Sequence, residues 1–342
     1  MSASVIHKVR RPSRYIDGEW NAVRKPEARI RIGLAFPDTY EVGMSHLGLK
    51  ILYGLVNNVP DAAAERVFAP WMDMEAELRR SGLPLTTLET GTPLHALDAV
   101  GFSLQYELAY TNVLQMLDLG GVPLRAEDRT ERHPIVLAGG PTAMNPAPLS
   151  PFIDAFILGD GEDIIPKIIW IFDREEDRNA RLRGLSELEG VYVPAYGPKR
   201  VRRQIVEDLD TAFYPTNPVV AHQAVHDRVA VEISRGCPRG CRFCQAGMLY
   251  RPLRERSLER IMDLAEQSLA ATGYRDLSFT SLSAGDYSCL LPLLQEANRR
   301  FRNRHVALSL PSPRVGALSP EIIREIKSER KSGFTIAPEA GT

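Results

Sequence analysis

Three of the chain's four cysteines fall within eight residues, Cys237-Pro-Arg-Gly-Cys241-Arg-Phe-Cys244. Thiolates in a C-x3-C-x2-C spacing on a tight loop can converge on one small object, and three of them hold three corners of a cubane iron–sulfur cluster. Gly236 and Gly240 are expected to let the backbone turn where a side chain would obstruct it. No fourth cysteine lies nearby, so one iron is left for a ligand from outside the protein. That arrangement suits chemistry at the cluster better than electron storage. The alternative is a three-thiolate zinc site completed by a histidine, although zinc sites usually come as paired C-x2-C or C-x2-C/H-x3-H units. Cys289, alone near a predicted helix start, reads as a small packed residue.

The loop must be held by its neighbours. It follows the apolar run Val229-Ala-Val-Glu-Ile233 and precedes a helical pattern. Ser257 caps a predicted helix over 258–271, with Ile261, Leu264 and Leu269 as its apolar stripe. Strands are predicted at 276–280, 305–310 and 333–337, with helices over 288–300 and 320–327 between them. Repeated βα units of this length predict a TIM-type barrel or a partial relative, with chemistry at the carboxyl ends of the strands. Upstream, strands at 30–36, 64–68, 97–103, 134–138 and 152–158 alternate with helices over 46–56, 73–80, 107–119 and 163–171, the first capped by Ser45. That alternation predicts a parallel sheet covered on both faces. Residues 1–28 read as a surface arm anchored by Tyr15 and Trp20. The charge run 173–183 reads as a solvated connector, and 191–194 with 201–206 as a hairpin.

The cysteine loop resembles the signature of the radical S-adenosylmethionine (SAM) superfamily. The longer string Arg242-Phe-Cys-Gln-Ala-Gly-Met-Leu-Tyr-Arg251 through Arg254-Glu-Arg-Ser257 resembles a narrower bacterial family that carries an N-terminal cobalamin-binding-like domain. The resemblance implies an α/β chain with a Rossmann-like, cobalamin-binding-like parallel sheet domain followed by a radical SAM (β/α) partial TIM barrel. It divides the chain into an arm (1–28), the cobalamin-binding-like domain (29–190), a linker (191–225) and a radical SAM domain (226–342). The last holds four βα units where six are usual, so the chain reads as a fragment of a longer family member.

The resemblance also implies roles by position. Cys237, Cys241 and Cys244 would ligate a [4Fe–4S] cluster whose open iron chelates the amino and carboxylate groups of SAM. Phe243 would lie near the adenine. Gly285 and Asp286, after the second barrel strand, match the segment that binds the SAM amine, with Asp in place of the usual Glu. Ser312 and Arg314, after the third, resemble the Ser-x-Arg whose guanidinium holds the carboxylate. Glu339, after the fourth, would reach the ribose or the substrate. In the first domain Gly139 and Gly140, and then Gly159, Gly161 and Glu162, resemble cobalamin-domain loops. The Asp-x-His-x-x-Gly motif that supplies a cobalt ligand is not matched by Asp38 or His46. No residue is read as a catalytic acid, base or nucleophile.

Composition sets bounds on partners. The chain has 342 residues, 44% apolar and 25% charged, with a net charge of −1. That describes a folded chain of two ordinary domains with no overall bias toward nucleic acid or a membrane surface. No apolar run approaches the ~20 residues of a membrane span. Cysteines without a disulfide pattern fit the cytoplasm. The expected function is reductive cleavage of SAM to start radical chemistry on an unidentified substrate, including cobalamin-dependent methyl transfer. An electron donor such as flavodoxin or ferredoxin would feed it. The rival is an iron–sulfur electron-transfer or sensing module without SAM turnover.

Overall fold

Ile30–Phe36 (β1) is apolar at almost every position because both of its faces are covered. Ile30, Ile32, Leu34 and Phe36 face one buried layer, while Ala35 faces the other. The computed structural model describes residues 3–311, 313–330 and 336. The chain forms two units, one of residues up to 206 with 219–225, and one of 207–218 with the chain from 226 onward.

In the first unit β1 lies in a six-stranded sheet with Ala62–Phe68 (β2), Ala99–Ser103 (β3), Ile135–Gly139 (β4), Ala155–Ile157 (β5) and Val191–Tyr192 (β6), in the order β2-β1-β3-β4-β5-β6. The first five strands run parallel, and β6 returns antiparallel, with Ile157 opposite Val191. Helices Leu47–Asn57, Ile165–Arg174 and Arg178–Glu187 bury their apolar stripes in one layer, Met72–Ser81 and Tyr110–Leu119 in the other. The order 2-1-3-4-5 has its switch point between β1 and β3, the position where open α/β sheets generally bind ligands.

Several sequence expectations are corrected here. The arm is not superficial: Val5, Val9, Tyr15 and Glu19 are buried, while Trp20 is exposed. The charge run contains the helix Arg178–Glu187, capped by Asp177, whose carboxylate accepts from the N–H groups of Asn179 (2.9 Å) and Ala180 (3.2 Å). No 191–206 hairpin forms, because Val191–Tyr192 pairs with β5 and Gln204 bonds instead to Leu158. Residues 207–218, read as linker, pack in the second unit.

Ser45 is not the cap of the following helix. Its Oγ donates to Glu41 O, and His46 caps Leu47–Asn57, with Nδ1 accepting from Leu49 N–H at 3.1 Å. That bond requires an unprotonated Nδ1. Burial holds His46 below the ordinary histidine value, a Gln105 hydrogen bond opposes this, and Lys50 adds to the lowering. A histidine kept neutral in the fold makes stability fall as pH drops below about 6.5, since the unfolded chain binds the extra proton. His46→Asn keeps a capping acceptor and removes that titration. Its stability should therefore vary less between pH 8 and pH 5.5 than the wild type's, with about 1 kcal/mol at stake. Superimposable pH profiles from denaturant titrations would refute the cap's role.

In the second unit Val229–Glu232 (β7), Asp276–Thr280 (β10) and Ala307–Ser309 (β11) form a parallel sheet in the order β11-β10-β7. Each strand neighbours the next parallel strand in chain order, as in a (β/α) barrel. Helices Leu258–Thr272, Leu290–Phe301 and Pro320–Ile326 follow the strands, the first capped by Ser257 and the last by Ser319. Ser234–Arg235 (β8) and Arg254–Glu255 (β9) form a separate antiparallel pair. The predicted strand at 333–337 lies outside the described residues, apart from Ile336. Arg256 is buried, its guanidinium over the Tyr214 ring and hydrogen-bonded to the carbonyls of Glu232 and Leu209, and Asp210 accepts from Ser257 N–H at 2.8 Å. These bonds explain why 207–218 belongs to this unit.

Candidate iron–sulfur site

The cysteine loop is closed at its base. β8 leaves and β9 returns, with Ser234 opposite Glu255 and Arg235 opposite Arg254, so residues 236–253 project as one loop beyond the β7 end. Gly236 has φ +95°, and a Cβ there would lie 2.6 Å from the carbonyls of both Tyr250 and Pro252. Only glycine fits where the two ends of the loop meet. Gly240 is different. Its φ is not positive and a Cβ would meet open space, so the steric need expected there is absent.

Cys237, Cys241 and Cys244 are half-buried thiols, none in a disulfide. Cys244 N–H donates to Cys241 O at 3.1 Å, and the short helix Ala246–Leu249 follows. Among the described residues no three His, Cys, Asp or Glu side chains gather closely enough to hold one metal ion. A cubane takes one thiolate per iron, a wider triangle of sulfurs. Three reduced cysteines on a loop pinned at both ends are a donor set that fits the cluster. Phe243 is 69% exposed at the loop surface, free to face a planar ligand.

After β10 the chain makes a short turn, Ala284–Asp286. The Asp286 carboxylate is 10% exposed and surrounded by donors: Arg239 Nε at 2.8 Å and Arg239 Nη2, Ser283 Oγ at 2.7 Å, and Arg314 Nη2 at 3.1 Å. The Arg239 fork, then Ser283 and Arg314, hold Asp286 well below the usual carboxylate range despite the opposing effect of burial. Asp286 and Arg314, from successive strand ends, are thus brought together. Arg314 Nε is buried and has no hydrogen-bond partner among the described residues, leaving a donor beside the pair. Gly285 packs against Ala317, 2.6 Å from where its Cβ would be. Ser312 and Glu339 lie outside the described residues. Arg239 was not anticipated from sequence. The available signal was a fork-shaped cation set between two of the cysteines, within one loop of the next strand end.

In the first unit, Gly140 and Gly159 have φ near +105°, and their Cβ atoms would strike protein: Leu104 O at 2.4 Å and Gln204 O at 2.1 Å. A Cβ on Gly161 would be crowded only by the movable end of the Leu52 side chain, at 2.9 Å, and one on Gly139 would meet only ordinary contacts. Glu162 is buried, and the helix that follows begins at Ile165 rather than beside Glu162. At the switch point, Asp38 after β1 accepts from Tyr106 Oη after β3 at 3.3 Å, and Asn112 Nδ2 donates to Pro37 O.

Residues 48–194 match the family model of the radical SAM protein N-terminal region, and residues 231–342 match that of the radical SAM superfamily. The chain belongs to the radical SAM superfamily. Members of this family use a [4Fe–4S] cluster and SAM. The uncharacterized protein MJ0966 of Methanocaldococcus jannaschii is 28% identical over 317 residues, covering 91% of this chain and 61% of that protein. The anaerobic magnesium-protoporphyrin IX monomethyl ester cyclase of Cereibacter sphaeroides is 25% identical over 122 residues, covering 34% of this chain and 20% of the cyclase. Among solved structures, the radical SAM methyltransferase TsrM of Kitasatospora setae, with cobalamin and a [4Fe–4S] cluster bound, superposes with a TM-score of 0.56 at 15% identity, covering 91% of this chain and 61% of that one. The cobalamin-dependent radical SAM enzyme OxsB with aqua-cobalamin bound gives 0.59 at 14% identity, covering 92% and 44%. Those likenesses are of fold. The radical SAM chain described here spans about three-fifths or less of the length of these relatives. No described helix is long and apolar enough to cross a membrane.

Proposed function

We propose that this chain holds a [4Fe–4S] cluster through Cys237, Cys241 and Cys244 and binds SAM beside it, as the SAM-cleaving part of a radical enzyme acting on an organic substrate. The observation that carries this reading is the pairing of Asp286 with Arg314 next to the cysteine loop. A carboxylate and a guanidinium side by side match the ammonium and carboxylate of an α-amino acid such as the methionine moiety of SAM. When bound and reduced, the cluster supplies the electron that breaks a sulfonium carbon–sulfur bond. The residues of the chain orient SAM for that step. Asp286 accepts the ammonium hydrogens, Arg314 directs its unused Nε–H toward the carboxylate, and Phe243 covers the adenine. Ser312 and Glu339 complete the set by their positions in the sequence. A low-potential protein such as flavodoxin or ferredoxin is the expected electron donor.

Cobalamin is supported by the fold of the first unit alone, through its β1/β3 switch point and its likeness to TsrM and OxsB. At Gly140 and Gly159 the space a Cβ would take is filled by Leu104 and Gln204, so the need for glycine at those two positions already arises within the protein itself.

The test is anaerobic reconstitution with iron and sulfide, then paramagnetic resonance of the reduced protein with and without SAM. SAM should shift the spectrum by binding the open iron. A cluster whose signal is indifferent to SAM would instead favour an electron-transfer or sensing module.

A further inference from the structure

Asp286 has no acceptor position to spare. Oδ1 takes Arg239 Nη2 and Arg314 Nη2, and Oδ2 takes Arg239 Nε and Ser283 Oγ. An incoming ammonium group must therefore displace a donor already in place. Ser283 is neutral and three residues away on the same turn. Arg314 is needed for the carboxylate of the same ligand. Arg239 remains. Its side chain is 47% exposed, against 10% for Asp286, so it can leave into water at little cost in desolvation. It also sits midway between Cys237 and Cys241, so its fork ties the cysteine loop to the end of β10.

We infer that Arg239 is an internal stand-in for the SAM ammonium: it pairs with Asp286 and braces the cysteine loop until SAM arrives, and SAM binds by displacing it. The inference rests on the SAM reading of Asp286 and Arg314. It makes Arg239 a positioning residue that sets SAM affinity and loop mobility without ligating iron. The exchange is balanced in charge, one cation replacing another at Asp286. The released guanidinium stays on the loop, beside the thiolate ligands.

Two measurements on Arg239→Gln test it. In cluster-free protein, amide hydrogen exchange over residues 236–244 should quicken, and Asp286→Asn should quicken the same amides, because each substitution cuts the same brace. In reconstituted protein, iron content should match the wild type, while SAM affinity by equilibrium dialysis should tighten about two- to fivefold, the factor an exposed ion pair supplies. Unchanged loop exchange overturns the brace. Unchanged SAM affinity overturns the displacement, and weakened affinity does so by making Arg239 a direct ligand. A wild-type cluster that does not bind SAM overturns the SAM reading itself, a different failure from a wild type that binds and a variant that binds no tighter. If Arg239→Gln does not load iron, Arg239→Lys, which keeps the charge and loses the fork, should load it and still bind SAM more tightly than the wild type. Equal affinity in that variant overturns the proposal.

Discussion

Replacing Cys241 by alanine should take the iron content of the reconstituted protein from about four per chain to near background. Cys289→Ala should leave it unchanged. The effect is large because the cluster has three protein ligands and no spare. The fourth cysteine is exposed and lies at the start of a helix, Leu290–Phe301, rather than in the loop. Two thiolates leave two irons without a protein bond, and free thiols or water do not retain them. Cys241 is the informative choice because it occupies the middle of the motif, so its loss leaves no adjacent C-x2-C pair. Its carbonyl accepts the turn bond from Cys244 N–H, which the substitution keeps. The loop is pinned by β8, β9 and Gly236, none of which involves a thiol, so the variant should fold. Iron and sulfide assays with the visible absorbance of the cluster check this. Full iron retention in Cys241→Ala would remove Cys241 from the ligand set.

The parts of this fold that could be read from sequence are those whose burial writes a pattern. Ile30–Phe36 and Ile135–Gly139 are covered on both faces and show as apolar runs. The Ser257 cap is local chemistry and stood as expected. The helix Arg178–Glu187 was hidden because Leu182 and Leu185 are its only buried apolar residues, set in a run of arginines. Gly140 and Gly159 did mark close backbone approach, but sequence does not say what approaches, and here it is the protein's own carbonyls. The Arg239–Asp286 pair joins residues 47 apart, and no local period encodes such a contact. Even so, the order of the strand ends placed Asp286 and Arg314 in successive loops. A barrel brings successive strand ends together, and their contact follows from that topology.

A buried charge left little trace in the sequence, and removing it would strand two buried carboxylates. Arg66 lies on β2 and points to the same face as Ala62, Ala64 and Phe68. Its Nη1 and Nη2 meet Glu19 at 2.9 and 3.0 Å, its Nε meets Glu89 at 2.6 Å, and all three residues are buried. Burial alone would lower the Arg66 value, but the carboxylates of Glu89 and Glu19 more than reverse this and keep it charged. Tyr40 Oη donates to Glu19, and the Tyr53 ring lies 5.2 Å from the guanidinium. Glu19 comes from the N-terminal segment and Glu89 from the chain after Leu88, so one arginine ties both to the sheet. Arg66→Met keeps much of the volume and leaves two carboxylates buried without a cation. The expected cost is about 3–5 kcal/mol at pH 7. Burial already pushes the Glu89 carboxyl up, and in the variant it loses the opposing cation, so it should titrate above its unfolded value of about 4.3, and the stability it permits is present at low pH and lost as pH rises. The deficit should therefore shrink between pH 7 and pH 5, and adding Glu19→Gln and Glu89→Gln should recover part of it. The three tryptophans, Trp20, Trp71 and Trp170, all belong to this unit, so denaturant unfolding followed by their fluorescence reports on it directly. A loss below about 1 kcal/mol at pH 7, or one that grows on acidification, would show that the triad does not hold the arm to the sheet.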